Sequence, residues 1–231
     1  MTNKKTTDRR SFLGSIAAGT AAAGIAAIST PLKLYAEEPF TEASPAEDPD
    51  EWFKQIKGKH RMVFDVTQPN DIFPFAWPRV FMITNNQTGT PENQQGVVVV
   101  LRSKAIPYAF EDRLWDKYKF GEQFKIDDPA TKAPSLRNPF WRPKPGDYKI
   151  PGIGNVAIGI NELQNSGVMF CVCETAITGR SSLSAQQLNL DAEKVKKDWI
   201  DGLLPNIQLV PSGVWAVGRA QEHGCAYCFA G

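Results

Sequence analysis

Four short apolar runs, separated by stretches with helical spacing, organise most of the chain. Residues 61–66 (Arg-Met-Val-Phe-Asp-Val) combine β-branched and aromatic side chains between Gly58 and Thr67-Gln68-Pro69-Asn70, as a strand requires. Residues 97–101 (Val-Val-Val-Val-Leu) do not alternate, so both faces of that strand are buried, as in a parallel sheet with helices on each side. Residues 168–173 and 207–210 supply a third and a fourth strand. The intervening segments predict helices. Residues 75–86 carry Phe75, Val80 and Ile83, with Pro78 tolerated near the start. Residues 107–120 place Phe110, Leu114, Trp115 and Tyr118 on one face, with Gly121 as the stop. Residues 156–165 form a short helix ended by Gly167. Residues 191–204 follow with Val195, Trp199, Ile200 and Leu203 on one face, and the last helix spans 214–223 after Pro211-Ser212-Gly213. Strands alternating with helices predict one α/β domain over 59–231, a three-layer parallel sheet with helices on both faces.

Residues 121–152 break the pattern, because Pro129, Pro134, Pro139, Pro143, Pro145 and Pro151 fit neither a helix nor a central strand. An ordered loop or lid is expected there, its Phe140, Trp141 and Tyr148 packing on the body or on another subunit.

The first 36 residues have the layout of a signal peptide: a basic start, a weakly apolar run over 12–28 and Leu34-Tyr35-Ala36 at the end. Within them Asp8-Arg9-Arg10-Ser11-Phe12-Leu13-Gly14 resembles the twin-arginine signal, in which Arg9 and Arg10 precede Phe12-Leu13 at fixed spacing. That resemblance implies export in the folded state by the twin-arginine translocase to the periplasm or another extracytoplasmic compartment. Cleavage after Ala36 would remove five basic residues and one acidic one, turning a net charge of +1 into about −3. Residues 37–58, rich in Glu, Asp and Pro, read as a solvated linker.

Composition narrows the function classes. At 42% hydrophobic and 22% charged, with no long basic run, the chain is an ordinary globular protein and a poor nucleic-acid binder. It carries no Ser-His-Asp arrangement, no Walker loop and no dinucleotide glycine fingerprint. Paired acids such as Glu111-Asp112 and Asp127-Asp128 are explained by capping or solvation. The four cysteines, Cys171, Cys173, Cys225 and Cys228, are confined to the last third.

That last third carries a family resemblance. Gly167-Val168-Met169-Phe170-Cys171-Val172-Cys173-Glu174-Thr175-Ala176, then Val210-Pro211-Ser212-Gly213-Val214, then Arg219-Ala220-Gln221-Glu222-His223-Gly224-Cys225-Ala226-Tyr227 resemble the DsrE/DsrF-like family of sulfur-relay proteins. The strand at 97–101 and the Leu114-Trp115-x-Lys117-Tyr118 segment fit the same order, so the resemblance spans about residues 60–229. It implies a flavodoxin-like or Rossmann-like α/β fold, a homo-oligomer such as a trimer, and a transferable persulfide on the cysteine ending the third strand, which here is Cys173. A small sulfur compound or a thiol partner protein would then be the reaction partner. Thr175, Thr178, Arg180 and Ser181, in the loop expected after Cys173, are candidate stabilisers of a thiolate or anion, whereas Cys171 reads as a buried small hydrophobe.

His223-Gly224-Cys225-Ala226-Tyr227-Cys228 departs from the family ending by adding two cysteines. A local Cys225–Cys228 disulfide is the first expectation in an oxidising compartment; a metal ion held by His223, Cys225 and Cys228, with Cys173 as a further ligand, is the second, and free thiols or links between chains the third. Two functions follow: sulfur handling through Cys173, as a carrier or sulfurtransferase-like protein, or a non-enzymatic oligomeric binding module that uses the Pro-rich segment and the C-terminus.

Overall fold

Every residue of the strand Gln95–Leu101 (β2) is buried, the burial that its unbroken run of Val and Leu demands. The computed structural model describes residues 48–231, so the basic segment 1–36, its Arg9-Arg10 motif, its cleavage site and residues 37–47 lie outside the described residues. Around β2 stand His60–Val66 (β1), Met169–Cys173 (β5), Ile207–Val210 (β6) and Ala226–Phe229 (β7), with a hairpin of Lys149–Ile150 (β3) and Gly154–Asn155 (β4) set apart. The five-stranded sheet has the order β6-β5-β2-β1-β7 and is parallel throughout. The register aligns Cys228, Phe64, Val99, Phe170 and Ile207 across it.

The two faces of the sheet are covered by different elements. One packs Phe64, Val99 and Phe170 under Phe73–Gln87 (α2), Asp112–Lys117 (α3), Phe120–Phe124 (α4), Ile160–Asn165 (α5), Glu174–Leu188 (α6) and Ala192–Asp201 (α7). The other packs Val63, Val98, Val100 and Cys171 against Pro49–Phe53 (α1) and Gly213–Glu222 (α8). A single α/β domain with a parallel sheet between helical layers results, as the alternation of patterns predicts.

Several local expectations are overturned. The linker expected over 37–58 ends early, because Phe53 and Ile56 are buried against the second face and Gly96 leaves room for the Lys57 carbonyl, where a Cβ would sit 2.4 Å away. The helix expected over 107–120 is broken into a 3-10 turn (Ile106–Ala109), α3 and α4. Phe110 is extended, bridges Leu203, and gives its carbonyl to Trp115 Nε1 and Asn138 Nδ2, while Lys119 turns left-handed at φ 53°. Gly121 is therefore inside α4 rather than a helix stop. The short helix starts at Ile160, because residues 154–155 are used in the hairpin and Glu162 caps the free N–H of Gly159 at 2.8 Å. A fifth parallel strand, β7, occupies the C-terminal segment that carries the extra cysteines.

The Pro-rich segment packs on the body. Phe140 stacks on Tyr148 at 4.9 Å and meets Phe75 at 4.4 Å, and Asn138, fully buried, donates to the carbonyls of Tyr108 and Phe110. These bonds give buried backbone carbonyls of the irregular chain side-chain donors in place of the water they lose.

A polar tie fastens α7 to α3. Asp198 accepts from Lys117 Nζ at 2.7 Å, from the Tyr118 hydroxyl at 2.6 Å and from Arg113 Nη1 at 2.5 Å. Burial pushes the Asp198 carboxyl up, but these donors outweigh it and hold it at about 2, below its ordinary 3.8. Because the folded value lies below the unfolded one, the stabilisation is complete above about pH 4 and is lost as pH falls from there toward 2. With its cationic partners half exposed, the tie contributes about 1 kcal/mol. Asp198→Asn is expected to remove that part of the acid destabilisation, read as a flatter dependence of the urea midpoint on pH below 4.

Candidate functional site

Chain direction places the site. The connection from β5 runs into α6 on the first face, whereas the connection from β6 runs into α8 on the second, so the carboxyl ends of these adjacent strands diverge. In open α/β sheets, such a switch opens a crevice at the sheet edge. Cys173 ends β5 there, opposite Val210 of β6 in the register. Its sulfur caps α6 and accepts a hydrogen bond from the Ala176 N–H at 3.2 Å, and the residue is 6% exposed.

The turn beside it is pinned. The Pro211 carbonyl accepts from both the Thr175 N–H at 3.2 Å and the Thr175 hydroxyl at 2.8 Å, and Ser212 Oγ caps α8 through the Trp215 N–H. Gly213 then lies against Arg102, the residue after β2: a Cβ there would come within 2.6 Å of Arg102 Cβ and 2.7 Å of Cδ. The Arg102 guanidinium grips Asp65 of β1 in a two-pronged pair, Nε to Oδ1 at 2.6 Å and Nη2 to Oδ2 at 2.8 Å. Tyr227 of β7 donates its hydroxyl to the same Oδ2 at 2.9 Å. Asp65 is 2% exposed, so this is a buried carboxylate satisfied by two partners. The hydrogen bond to Asp65 raises Arg102 above its ordinary value against the opposing effect of burial, and the charges of Asp65, Tyr227 and Cys173 add to the rise in that order. Arg102 and Cys173 follow Leu101 and Val172, which are paired in the register of β2 and β5, so the two residues stand side by side at the strand ends.

The other sulfurs are placed differently. Cys171 is fully buried in β5 among Val100 and Ala216, and burial pushes its thiol far up. Cys225, also buried, is pushed up to about 11 by burial, against a lowering from Arg61. Cys228 is raised by burial as well.

The candidate residues from the sequence are only partly gathered. Thr175 sits beside Cys173 but spends its hydroxyl on Pro211. Thr178, Arg180 and Ser181 are not in a loop; all lie in α6, and Arg180 extends over the Phe124 ring at 6.0 Å instead of toward the sulfur. All four cysteines are free thiols. The expected Cys225–Cys228 disulfide is absent because three residues along an extended chain point to opposite faces: Cys225 packs with Phe53 and Cys171, Cys228 against the first-face core. His223, Cys225 and Cys228 are not brought together for a metal either: the His223 ring stacks on Phe53 at 6.3 Å, and among the described residues no three His, Cys, Asp or Glu side chains converge.

Asp65 and Arg102 escape a motif search, although a charged residue inside the apolar run 61–66 and another directly after 97–101 are signals of paired burial at strand ends. A separate cleft of about 330 Å³, lined by Asp71, Tyr108, Lys125, Lys132, Phe140 and Tyr148, lies between the turn after β1 and the Pro-rich segment; Cys173 does not line it.

No helix among the described residues is long and apolar enough to cross a membrane. No family model matches the chain, and no curated protein does. Among solved structures the chain is similar to a protein of unknown function from Methanobacterium thermoautotrophicum, 18% identical, with 74% of this chain and 99% of that one covered and a TM-score of 0.37.

Proposed function

We propose that this chain is an exported, DsrE/DsrF-like sulfur-handling protein that carries a sulfane sulfur on Cys173 and passes it to an acceptor thiol. One observation carries the reading: Cys173 sits at the divergence of β5 and β6 with a backbone N–H aimed at its sulfur. An N–H donor there can hold negative charge on a thiolate or on the terminal sulfur of a persulfide. None of the other three cysteines caps a helix among the described residues. The twin-arginine resemblance of Arg9-Arg10-Ser11-Phe12-Leu13 supports an extracytoplasmic setting, in which the sulfur source is a compound or partner outside the cytoplasm.

The test is cyanolysis. Protein treated with inorganic polysulfide and desalted is expected to release stoichiometric thiocyanate with cyanide, and Cys173→Ser to release less than about a tenth of that while keeping the wild-type melting temperature, since Ser can still cap α6. Equal thiocyanate from Cys173→Ser overturns the reading.

A further inference from the structure

Resting on that reading, we infer that the donor to Cys173 is a small oxyanionic sulfane compound of the thiosulfate type, and that Arg102 is the residue that selects it. The guanidinium has five N–H donors. Nε and Nη2 are committed to Asp65, and Nη1 has no acceptor among the described residues. The side chain remains 28% exposed although its partner carboxylate is 3% exposed. A buried anion therefore fixes the orientation of a cation that keeps part of its surface exposed. Tyr227, donating to the same carboxylate from β7, fixes Asp65 in turn.

The position is as informative as the pairing. Asp65 and Cys173 both point to the sheet face covered by α8, Arg102 follows the strand between them, and Gly213 is the one residue type that lets the Arg102 stem lie against the start of α8. The register that sets Leu101 of β2 opposite Val172 of β5 puts the next residues, Arg102 and Cys173, side by side at the carboxyl end of the sheet. A compact anion spanning the two groups would place its oxyanion end on Arg102 and its sulfane sulfur at Cys173. A bulky neutral donor gains nothing from Arg102.

The chemistry balances without an outside oxidant. The Cys173 thiolate attacks the outer sulfur of thiosulfate, a new Cys173 S–S bond forms, and the bond between the two thiosulfate sulfurs breaks with its electron pair leaving on sulfite. One thiolate and one thiosulfate dianion give one persulfide anion and one sulfite dianion, so charge and sulfur are conserved. Arg102, holding the oxygens, would stabilise the negative charge that collects on the departing sulfite.

The experiment separates anion binding from sulfur transfer. Thiosulfate is titrated by calorimetry into the full chain as Cys173→Ser, which binds but cannot react, and into the same chain carrying Asp65→Asn with Arg102→Gln, an amide pair that leaves no buried charge alone. Cys173→Ser is expected to bind thiosulfate, and the amide pair to weaken that binding at least 10-fold. Arg102→Lys, which keeps the charge but loses the fork, should fall between. With Cys173 present, the amide pair should raise the thiosulfate concentration for half-maximal sulfite release by a similar factor. No thiosulfate binding, or equal binding by the amide pair, overturns the inference, and polysulfide loading of Cys173 that persists in that case leaves the relay reading standing with a donor of another class, such as a protein persulfide. Arg102-dependent binding without any loading of Cys173 keeps the anion subsite and sinks the relay reading.

Discussion

Gly121→Ala is expected to destabilise the protein by about 3 kcal/mol, at the upper end of what overpacking costs. A Cβ on Gly121 would lie 2.2 Å from Ser135 N, 2.4 Å from Ser135 O and 2.7 Å from the Pro134 carbonyl carbon. All three are backbone atoms, so no side-chain rotation relieves the clash. The same strands of chain are tied by hydrogen bonds, Ile126 N–H to Gly121 O at 2.9 Å and Ser135 N–H to Ile126 O at 2.9 Å, so moving one segment strips donors from the other. Thermal unfolding is expected to shift down by roughly 6 to 12 °C for a domain of this size. A shift under about 2 °C would mean that the Pro-rich segment does not press on α4.

The second large effect is at Asp65. Replacing it with Ala leaves the Arg102 guanidinium without its two-pronged partner and the Tyr227 hydroxyl without its acceptor, and removing one member of a buried pair costs about 3 kcal/mol. Asp65→Asn with Arg102→Gln is expected to recover most of that loss, because an amide pair carries no unbalanced charge. The coupling energy from the cycle of single and double variants in urea is the readout. Additive losses would show that the two residues do not depend on each other.

The sheet is legible in the sequence because its signal is local. Val97 to Leu101 must be buried on both faces wherever they are put, and β1, β5 and β6 follow at the residues where their apolar runs stand. α6 is hidden for the opposite reason. Its buried face is made of Ile177, Ser181, Ser184 and Ala185, small or polar residues that give no hydrophobic period. β7 is hidden because Tyr227 and Phe229 remain half exposed at the sheet edge, so its alternation is weak, and its two cysteines draw attention to pairing chemistry instead. Gly121 resembles a helix stop by position, yet the demand on it comes from Ser135 across the fold.

The site divides the same way. Cys173 is marked by its place at a strand end and by the Val210-Pro211-Ser212-Gly213 turn that follows in sequence. Its electrostatic neighbours are not, since Asp65 stands 37 residues from Arg102 and 162 from Tyr227, and only the strand order brings the three to one edge. The expectations for Arg180 and for the His223, Cys225 and Cys228 group rest on nearness in sequence. A helix carries the first of these away from the sulfur, and the twofold alternation of a strand separates the two cysteines.

The most direct measurement on the central claim is a cysteine-resolved mass map of the polysulfide-treated wild-type protein, alkylated under native conditions and then digested. A reducible increment of one sulfur atom is expected on the peptide containing Cys173, with Cys171 and Cys225 unmodified in the folded state. The added sulfur on Cys225 or Cys228 with Cys173 bare would contradict that claim.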